Sequence, residues 1–216
     1  MTTRTLTPEL LDSLPPLHPD ARHSRRDLRW INLAMGNHRW FERVLPPLMR
    51  SSERALELGA GAGGLAIRLT THGIAVDGLD FCPRPPSWPM DRAWHIGDLR
   101  SFAHFADYAA VYGNLIFHHF TDADLAALGA TLRRSGVRLI LASEPTRSTR
   151  FQRLIAVAGR ALGANRVTLH DAHVSIAAGF LGDELPRLLG LDPAEWDISC
   201  STTFLGACRL IAQRRA

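Results

Sequence analysis

The sequence contains no lysine, and all 25 of its basic residues are arginine. The chain therefore cannot supply the phosphate-binding lysine of a P-loop, a Schiff-base lysine, or the Tyr-x-x-x-Lys pair of short-chain dehydrogenases. A formal net charge of +4 permits an acidic partner without requiring one. The densest basic stretch, residues 22–29, is interpreted as a solvated helix face rather than a nucleic-acid-binding patch.

Cysteine is also scarce. The three residues, Cys82, Cys200 and Cys208, match neither a metal-binding motif nor a disulfide framework, so we expect a reduced, cytoplasmic setting. No stretch approaches the roughly 18 apolar residues that a membrane span requires. Residues 1–16 lack the charged start and apolar run of a secretory signal. These absences predict a soluble protein without a membrane span.

Two segments of different character follow one another along the chain. Apolar residues recur at helical spacing up to about residue 50, with a break predicted at Gly36, and we interpret residues 1–50 as an N-terminal helical cap. In residues 51–216, short apolar runs alternate with helical patterns, which predicts an α/β domain with a doubly wound sheet. The last two predicted strands, 197–201 and 204–212, indicate an antiparallel hairpin at the sheet edge.

The most informative motif is the glycine-dense turn of residues 57–64, Glu-Leu-Gly-Ala-Gly-Ala-Gly-Gly. Glycines cluster in this way where a backbone turns sharply and lets a ligand approach the main chain. Taken alone, Gly59, Gly61 and Gly64 also fit the dinucleotide fingerprint. Glu57 favours a different ligand, because a carboxylate here suits hydrogen-bond donors or positive charge. S-adenosylmethionine presents both, through its ammonium group, ribose hydroxyls and sulfonium.

Polar residues stand at the ends of the predicted strands. In doubly wound sheets, ligands bind beyond the carboxyl ends of the strands. We therefore expect these side chains to converge on one crevice. They are Glu57, Asp80, Asp98, Asn114 and Glu144.

The order of these motifs resembles that of the class I S-adenosylmethionine-dependent methyltransferases. The glycine turn is followed by Asp80 after the second strand, by Gly97-Asp98 after the third, and by Asn114 with His118-His119 after the fourth. The resemblance covers about residues 53–145, and residues 30–40 are similar to the segment that precedes this domain in quinone-pathway methyltransferases. It implies a Rossmann-like seven-stranded sheet with an antiparallel C-terminal strand, and S-adenosyl-L-methionine as the cofactor.

The resemblance also implies site residues. The glycine turn would hold the methionine end of the cofactor. The end of the second strand would bind the ribose, the end of the third strand the adenine, and the end of the fourth strand the amino group. The N-terminal cap would contact the carboxylate. In that order, the cofactor-binding residues are Glu57, Gly59, Ala60, Gly61, Asp80, Phe81, Asp98, Leu99, Asn114, Arg29 and Asn32. Prolines between residues 83 and 89 replace the short helix that this family usually has after Asp80.

His118 and His119 are the candidate catalytic bases, because histidine titrates near neutral pH and can take a proton from an acceptor hydroxyl. A second polar group, His170, Asp171 and His173, lies in a predicted loop. This second group could bind a metal, but it has no convincing further ligand. Because the acidic set that would hold Mg²⁺ near Asn114 is also missing, we predict metal-independent chemistry.

Several missing motifs narrow the acceptor. No Asp/Asn-Pro-Pro-Tyr/Phe motif follows the fourth strand, no paired cysteines suit arsenic methylation, and no acidic set for Mg²⁺ stands near Asn114. A small-molecule acceptor remains, methylated on a hydroxyl or an activated ring carbon of an aromatic or polyketide-like compound of secondary metabolism. Trp30, Trp40, Phe117 and Phe120 are candidates for lining its site.

Three alternatives stay open. An RNA methyltransferase would use the arginines of residues 22–29 with Arg214 and Arg215 to hold phosphates. An NAD(P)-dependent oxidoreductase would use the glycine turn to bind its dinucleotide. Glu57 and the absence of lysine both argue against this hypothesis. A cofactor-binding scaffold without turnover is the third.

Overall fold

The computed structural model describes residues 3–15 and 17–215, which fold around one seven-stranded sheet. The sheet order is β3-β2-β1-β4-β5-β7-β6. The strands are β1 (Arg54–Leu58), β2 (Ala75–Asp80), β3 (Trp94–Ile96), β4 (Ala110–Asn114), β5 (Leu139–Pro145), β6 (Trp196–Thr202) and β7 (Ala207–Arg214).

Strands β1 to β5 are parallel, and β7 runs antiparallel between β5 and β6. The chain passes outward from β1 through β2 to β3, then returns to place β4 on the other side of β1. This reversal between β1 and β4 is the switch point at which doubly wound sheets bind ligands. The predicted fold class, including the antiparallel C-terminal strand, is confirmed.

Helices connect the strands and cover both faces of the sheet. They are α1 (Leu10–Ser13), α2 (Pro19–Met35), α3 (Asn37–Val44), α4 (Gly64–Thr70), α5 (Asp122–Ser135), α6 (Thr149–Ala161), α7 (Arg166–Ala178) and α8 (Glu184–Leu188). Buried residues of α5 and α8 share one apolar core with the sheet, and those of α3 and α4 share the other. Within the described residues, no helix combines the length and apolarity that crossing a bilayer requires.

Strand β5 is buried along its whole length because β4 and β7 flank it and both faces are covered. Such a strand reads as a nearly continuous apolar run, as residues 137–142 do. Strand β6 lies at the edge, and after the buried Trp196 it alternates between half-buried and exposed residues up to Ser201. The two patterns explain why both strands are recognisable in the sequence.

The first 50 residues contain helices α1, α2 and α3, whereas residues 3–9 are not helical. The break at Gly36 is confirmed by its left-handed φ of 66° between α2 and α3. Helix α3 buries Trp40 and Phe41 in the core beneath the sheet. The backbone N–H groups of Leu10 and Leu11, in α1, donate to the carboxylate of Asp171. The segment therefore packs closely on the rest of the molecule, and a domain boundary at residue 50 stays a prediction.

Two expectations about the C-terminal part are wrong. Residues 170–173 belong to helix α7, which the Asn165 side chain caps by accepting from Thr168 N, rather than to a loop. Polar side chains suggested the loop, but residues 166–178 contain neither glycine nor proline to interrupt a helix. Strand β7 begins at Ala207 instead of residue 204, because Gly206, with a φ of 83°, completes the preceding turn.

Candidate functional site

The carboxyl ends of the central strands lie level with one another at the switch point. In the pairing register, Leu58 of β1 is opposite both Leu79 of β2 and Gly113 of β4, and Asn114 is opposite Ser143 of β5. The residues that follow these positions therefore meet at one edge of the sheet. This is the crevice that the strand-end pattern predicts.

The glycine turn after β1 combines a backbone conformation that favours glycine with open space. Gly59, Gly61 and Gly63 have left-handed φ values of 64°, 55° and 72°. A Cβ on Gly59 would lie 2.7 Å from the Ile116 side chain, so only glycine fits there without displacement. A Cβ on Gly61 would meet no atom within 4 Å. The turn is thus open to the crevice at Gly61.

Asp80 ties the end of β2 to this turn. Its carboxylate accepts hydrogen bonds from Gly61 N at 2.7 Å and from Cys82 N at 2.8 Å. Gly59 N and Ala60 N donate to the Leu79 carbonyl, which holds the same two strand ends together. The neighbouring Phe81 is exposed. Asp80 therefore orders the backbone of the turn, and its contact with the cofactor ribose stays a prediction.

Glu57 is buried, and its carboxylate lies between two elements rather than in open space. It accepts from Ala66 N in the first turn of α4 at 3.0 Å and from the Tyr112 hydroxyl at 3.2 Å. Burial raises the pKa of Glu57 to about 8, and these hydrogen bonds offset the rise only in part. The visible role of Glu57 is to position the turn, and contact with a cofactor stays a prediction.

Asp98 follows β3 and caps the short 3₁₀ turn Leu99–Ser101. Its carboxylate accepts from Arg100 N at 2.8 Å and from the Arg100 guanidinium, which lowers the pKa of Asp98. Leu99 is buried in the core. Contact of Asp98 and Leu99 with the adenine of a cofactor remains a prediction.

Asn114 at the end of β4 is joined to the N-terminal helices. Its amide donates to Asn32 Oδ1 at 2.9 Å, and Asn37 donates to the same oxygen at 3.2 Å. The Asn114 Oδ1 atom is buried and has no hydrogen-bond partner in the described structure. A buried acceptor without a partner is costly unless a ligand or water supplies the donor. Arg29, by contrast, is exposed on α2.

A buried carboxylate, Glu144 at the end of β5, organises the loop after β4. It accepts from the backbone N–H groups of Ile116 at 2.9 Å, Phe117 at 3.0 Å and His118 at 3.3 Å. It also lies 2.7 Å from His118 Nδ1. The sequence pattern places Glu144 at the crevice but suggests no role for it.

Leu115, in the same loop, has a φ of 59°, which is rare for a residue other than glycine. Such strain persists only where the surrounding structure enforces it. Here the Leu115 backbone N–H donates to the Ser143 carbonyl and Glu144 binds the residues that follow. These contacts therefore fix the path of the chain that presents His118 and His119.

The two histidines face the N-terminal segment. His118 Nε2 lies 3.4 Å from Glu9 Oε1, and His119 Nε2 lies 3.8 Å from the same atom. Asp12 approaches His119 Nδ1 at 3.9 Å. No sequence signal points to Glu9, since it is more than 100 residues from His118 and stands in no motif.

The two rings differ in protonation. Burial disfavours the charged form of His118, but hydrogen bonds to Glu144 and Glu9 outweigh it and raise the pKa to about 9. Burial and the neighbouring charge of His118 lower the pKa of His119. At neutral pH His118 is therefore a cation between two carboxylates, whereas His119 is a neutral ring able to accept a proton.

Glu9, His118 and His119 are also the donor types that bind transition metals, and one ligand atom of each lies within 4.8 Å of the others. A metal there would have to displace the proton of His118. The second polar group does not form such a set. Asp171 is engaged by α1 and by His170 Nδ1, and His173 contributes its backbone carbonyl to Gln152.

Of the four aromatic residues expected to line an acceptor site, two lie in the core. Phe117 is fully buried and Trp40 nearly so. Trp30 is 64% exposed on α2, and Phe120 is half-buried. Only Trp30 and Phe120 are therefore accessible enough to meet an acceptor.

No protein-family model and no curated protein matches the chain. Solved structures do. The chain is similar to the plantazolicin methyltransferase BamL, solved with a triazolic desmethylPZN analog and SAH, at 10% identity over 95% of this chain and 93% of that one, with a TM-score of 0.69. It is similar to the magnesium protoporphyrin IX methyltransferase ChlM from Synechocystis PCC 6803 with bound SAH, at 17% identity over 84% and 83%, with a TM-score of 0.57.

The pyocyanin biosynthetic protein PhzM is a third similar structure, at 18% identity over 92% of this chain and 60% of that one, with a TM-score of 0.56. At these identities the comparisons show a shared fold. The expected class I methyltransferase fold is thereby confirmed.

Proposed function

We propose that this chain, which has the fold of class I methyltransferases, is an S-adenosylmethionine-dependent methyltransferase acting on a small molecule. The observation that carries the proposal is the open glycine turn at the switch point, held by Asp80, together with the unpartnered Asn114 Oδ1 at the end of β4. When bound, S-adenosylmethionine supplies a methyl group on a sulfonium that carries its own leaving group. The chain has then to bind, orient and exclude water.

The residues present fit such a cofactor. Gly61 leaves room for a ligand against the backbone, and Asp80 offers carboxylate oxygens to ribose hydroxyls beside it. Asn114 Oδ1 supplies an acceptor suited to an amino group. The remaining contacts proposed from the resemblance are those of Glu57, Gly59, Ala60, Phe81, Asp98, Leu99, Arg29 and Asn32.

For the acceptor, we assign the proton-accepting role to His119 and a positioning role to His118. His119 is partly exposed and has a lowered pKa, so at neutral pH it can take the proton of a phenol-like hydroxyl. His118 is buried and cationic, and holds Glu9 and Glu144 in place. Transfer to an activated ring carbon would use the same base, and neither reaction requires a metal.

The cofactor assignment is tested by calorimetric titration of S-adenosylhomocysteine. Asp80→Ala is expected to weaken binding roughly 10- to 100-fold, because it removes charge-assisted hydrogen bonds at the turn. Asp107→Ala, which removes an exposed carboxylate after β3, serves as the matched control and should bind like the wild-type protein. Equal binding by wild type and Asp80→Ala would contradict the proposal.

Two further binding measurements test the alternative functions. Calorimetric titration with NADH tests whether the chain is an NAD(P)-dependent oxidoreductase, and salt-dependent retention on RNA tests whether it is an RNA methyltransferase. Arg214 and Arg215, which the latter would use, already have internal partners. Arg214 donates to the Arg133 carbonyl, and Arg215 pairs with Asp197 at 2.8 Å.

A further inference from the structure

Helix α6 presents an outer face that is both apolar and basic. Val157 is 68% exposed at the centre of this face and Leu154 is 49% exposed beside it, with Leu162 exposed just beyond the helix. Arg150, Arg153 and Arg160 are exposed around them. Residues 149–161 include no acidic residue. We call these six residues the α6 surface.

The arginines of the α6 surface are not engaged by carboxylates. None of the three forms an ion pair with another described residue, and Arg160 donates only to the Ala156 carbonyl within its own helix. Elsewhere many arginines of this chain are paired, as Arg54 is with Asp77 and Arg138 with Glu53. The positive charge of the α6 surface is therefore uncompensated.

The apolar part of the surface continues onto the turn between β6 and β7. Phe151 packs against Gly206, where a Cβ would lie 3.0 Å from the ring. Phe204, in the same turn, is 85% exposed and Leu205 is 46% exposed. Leu154 is one helical turn from Phe151 and on the same side of α6. Two exposed apolar elements thus adjoin, which monomeric soluble surfaces seldom show without a partner.

We propose that the α6 surface and the adjoining Phe204-Leu205 turn dock the protein on an anionic lipid bilayer. A helix with central aliphatic residues and flanking arginines suits the headgroup boundary, where the aliphatic groups enter the acyl region and the guanidinium groups meet phosphates. Helix α6 follows β5 directly, so the docked helix begins near the crevice edge of the sheet.

Two other occupants fit less well. A second copy of the chain would bring the same three arginines against each other across a two-fold interface, with no acidic residue on the helix to pair with them. Nucleic acid would use the arginines, but Val157 and Leu154 at the centre of the face offer it neither hydrogen bonds nor aromatic stacking.

Co-sedimentation of the full chain with vesicles tests the proposal. The wild-type protein is expected to bind vesicles of phosphatidylcholine mixed with phosphatidylglycerol, to bind phosphatidylcholine alone weakly, and to dissociate as salt rises. Arg150→Ser/Arg153→Ser should lower partitioning by about fivefold for each arginine. Leu154→Ser/Val157→Ser should lower it about tenfold at the same net charge.

The matched control is Arg39→Ser/Arg43→Ser, which removes two exposed arginines from α3 and should leave partitioning within about twofold of the wild-type value. All six substituted positions are exposed, and thermal melts verify that each variant is folded. Absence of wild-type binding to anionic vesicles would overturn the proposal, as would an equal loss in the control. If the protein is retained on RNA and only Arg150→Ser/Arg153→Ser loses this retention, the surface binds nucleic acid instead. If the protein is a dimer that Leu154→Ser/Val157→Ser dissociates, the surface binds a second copy of the chain instead.

Discussion

Glu57 illustrates how one buried side chain links the glycine turn to stability. Its carboxyl group accepts hydrogen bonds from the first turn of α4 and from the Tyr112 hydroxyl. Burial raises its pKa to about 8, so in the folded protein it stays protonated below that pH. An unfolded chain releases that proton near the ordinary glutamate pKa. Folding is therefore disfavoured progressively as pH rises through this window, where the folded state binds more protons than the unfolded state.

From this we predict the behaviour of Glu57→Gln. The variant should gain stability relative to the wild-type protein as pH rises from about 5 to 8, by at most about 1.4 kcal/mol per pH unit. Urea unfolding across that range measures the difference. A constant offset between the two proteins at all pH values would show that Glu57 is ionised in the folded state.

The histidine pair gives a second prediction at the residue scale. Side-chain NMR titration should find His118 protonated until about pH 9 and His119 neutral at pH 7. Glu9→Gln should lower the His118 pKa, because it removes a hydrogen-bonding carboxylate 3.4 Å from Nε2. Asp183→Asn, an exposed carboxylate on another segment, is the control. If His119 instead keeps its proton at pH 7, it is not the base.

His118 also contributes to stability in a pH-dependent way. Because its folded pKa lies above the ordinary value of 6.5, its contribution is complete below that pH and is lost as pH rises through about 9. His118 and Glu57 thus both favour folding on the acidic side of neutrality. Both groups therefore make the protein less stable as pH rises, although protonation charges His118 and neutralises Glu57.

At the scale of elements, the glycine turn can be tested apart from general backbone strain. Gly61 and Gly73 both have left-handed φ values, 55° and 80°, and at neither would a Cβ meet an atom within 4 Å. Alanine at each position should therefore cost a similar free energy of unfolding, about 1 kcal/mol. Only Gly61→Ala places a methyl group in the crevice.

Gly61→Ala is accordingly expected to weaken S-adenosylhomocysteine binding at least about tenfold, while Gly73→Ala leaves it unchanged. Calorimetry measures binding, and urea unfolding verifies that the two variants are equally stable. Normal binding by Gly61→Ala would place the cofactor elsewhere in the crevice.

For the whole molecule, binding of the proposed cofactor couples to unfolding. The crevice draws on β1, β2, β4 and the N-terminal helices, so a ligand there stabilises the chain as one unit. At a hundredfold excess over Kd, S-adenosylhomocysteine should add about 2.7 kcal/mol, which is roughly 5–10 °C in Tm for a chain of this size. NADH at equal concentration is the control, and stabilisation by NADH alone would favour the oxidoreductase.

Patterns along the sequence were sufficient to predict the strands of the sheet and the antiparallel C-terminal pair. The glycine turn, the buried run of β5 and the paired C-terminal strands each lie within a few residues, so their composition and periodicity report directly on local structure. Helix α7 was not predicted, because its histidines and aspartate resemble the polar composition of a loop. Its buried residues pack partly on α1 and α2, which are distant in sequence.

The sequence by itself determined the order of the motifs, the edge of the sheet at which the strand-end residues meet and the turn that only glycine can form. These features depend on local conformation and on the rules of parallel sheets. Tertiary structure alone decided the surroundings of the histidines. Glu9 and Glu144, which are 109 and 26 residues away in the sequence, both reach His118, and Asn32 reaches Asn114 from α2. Charge and pKa depend on such through-space distances, which no local pattern encodes.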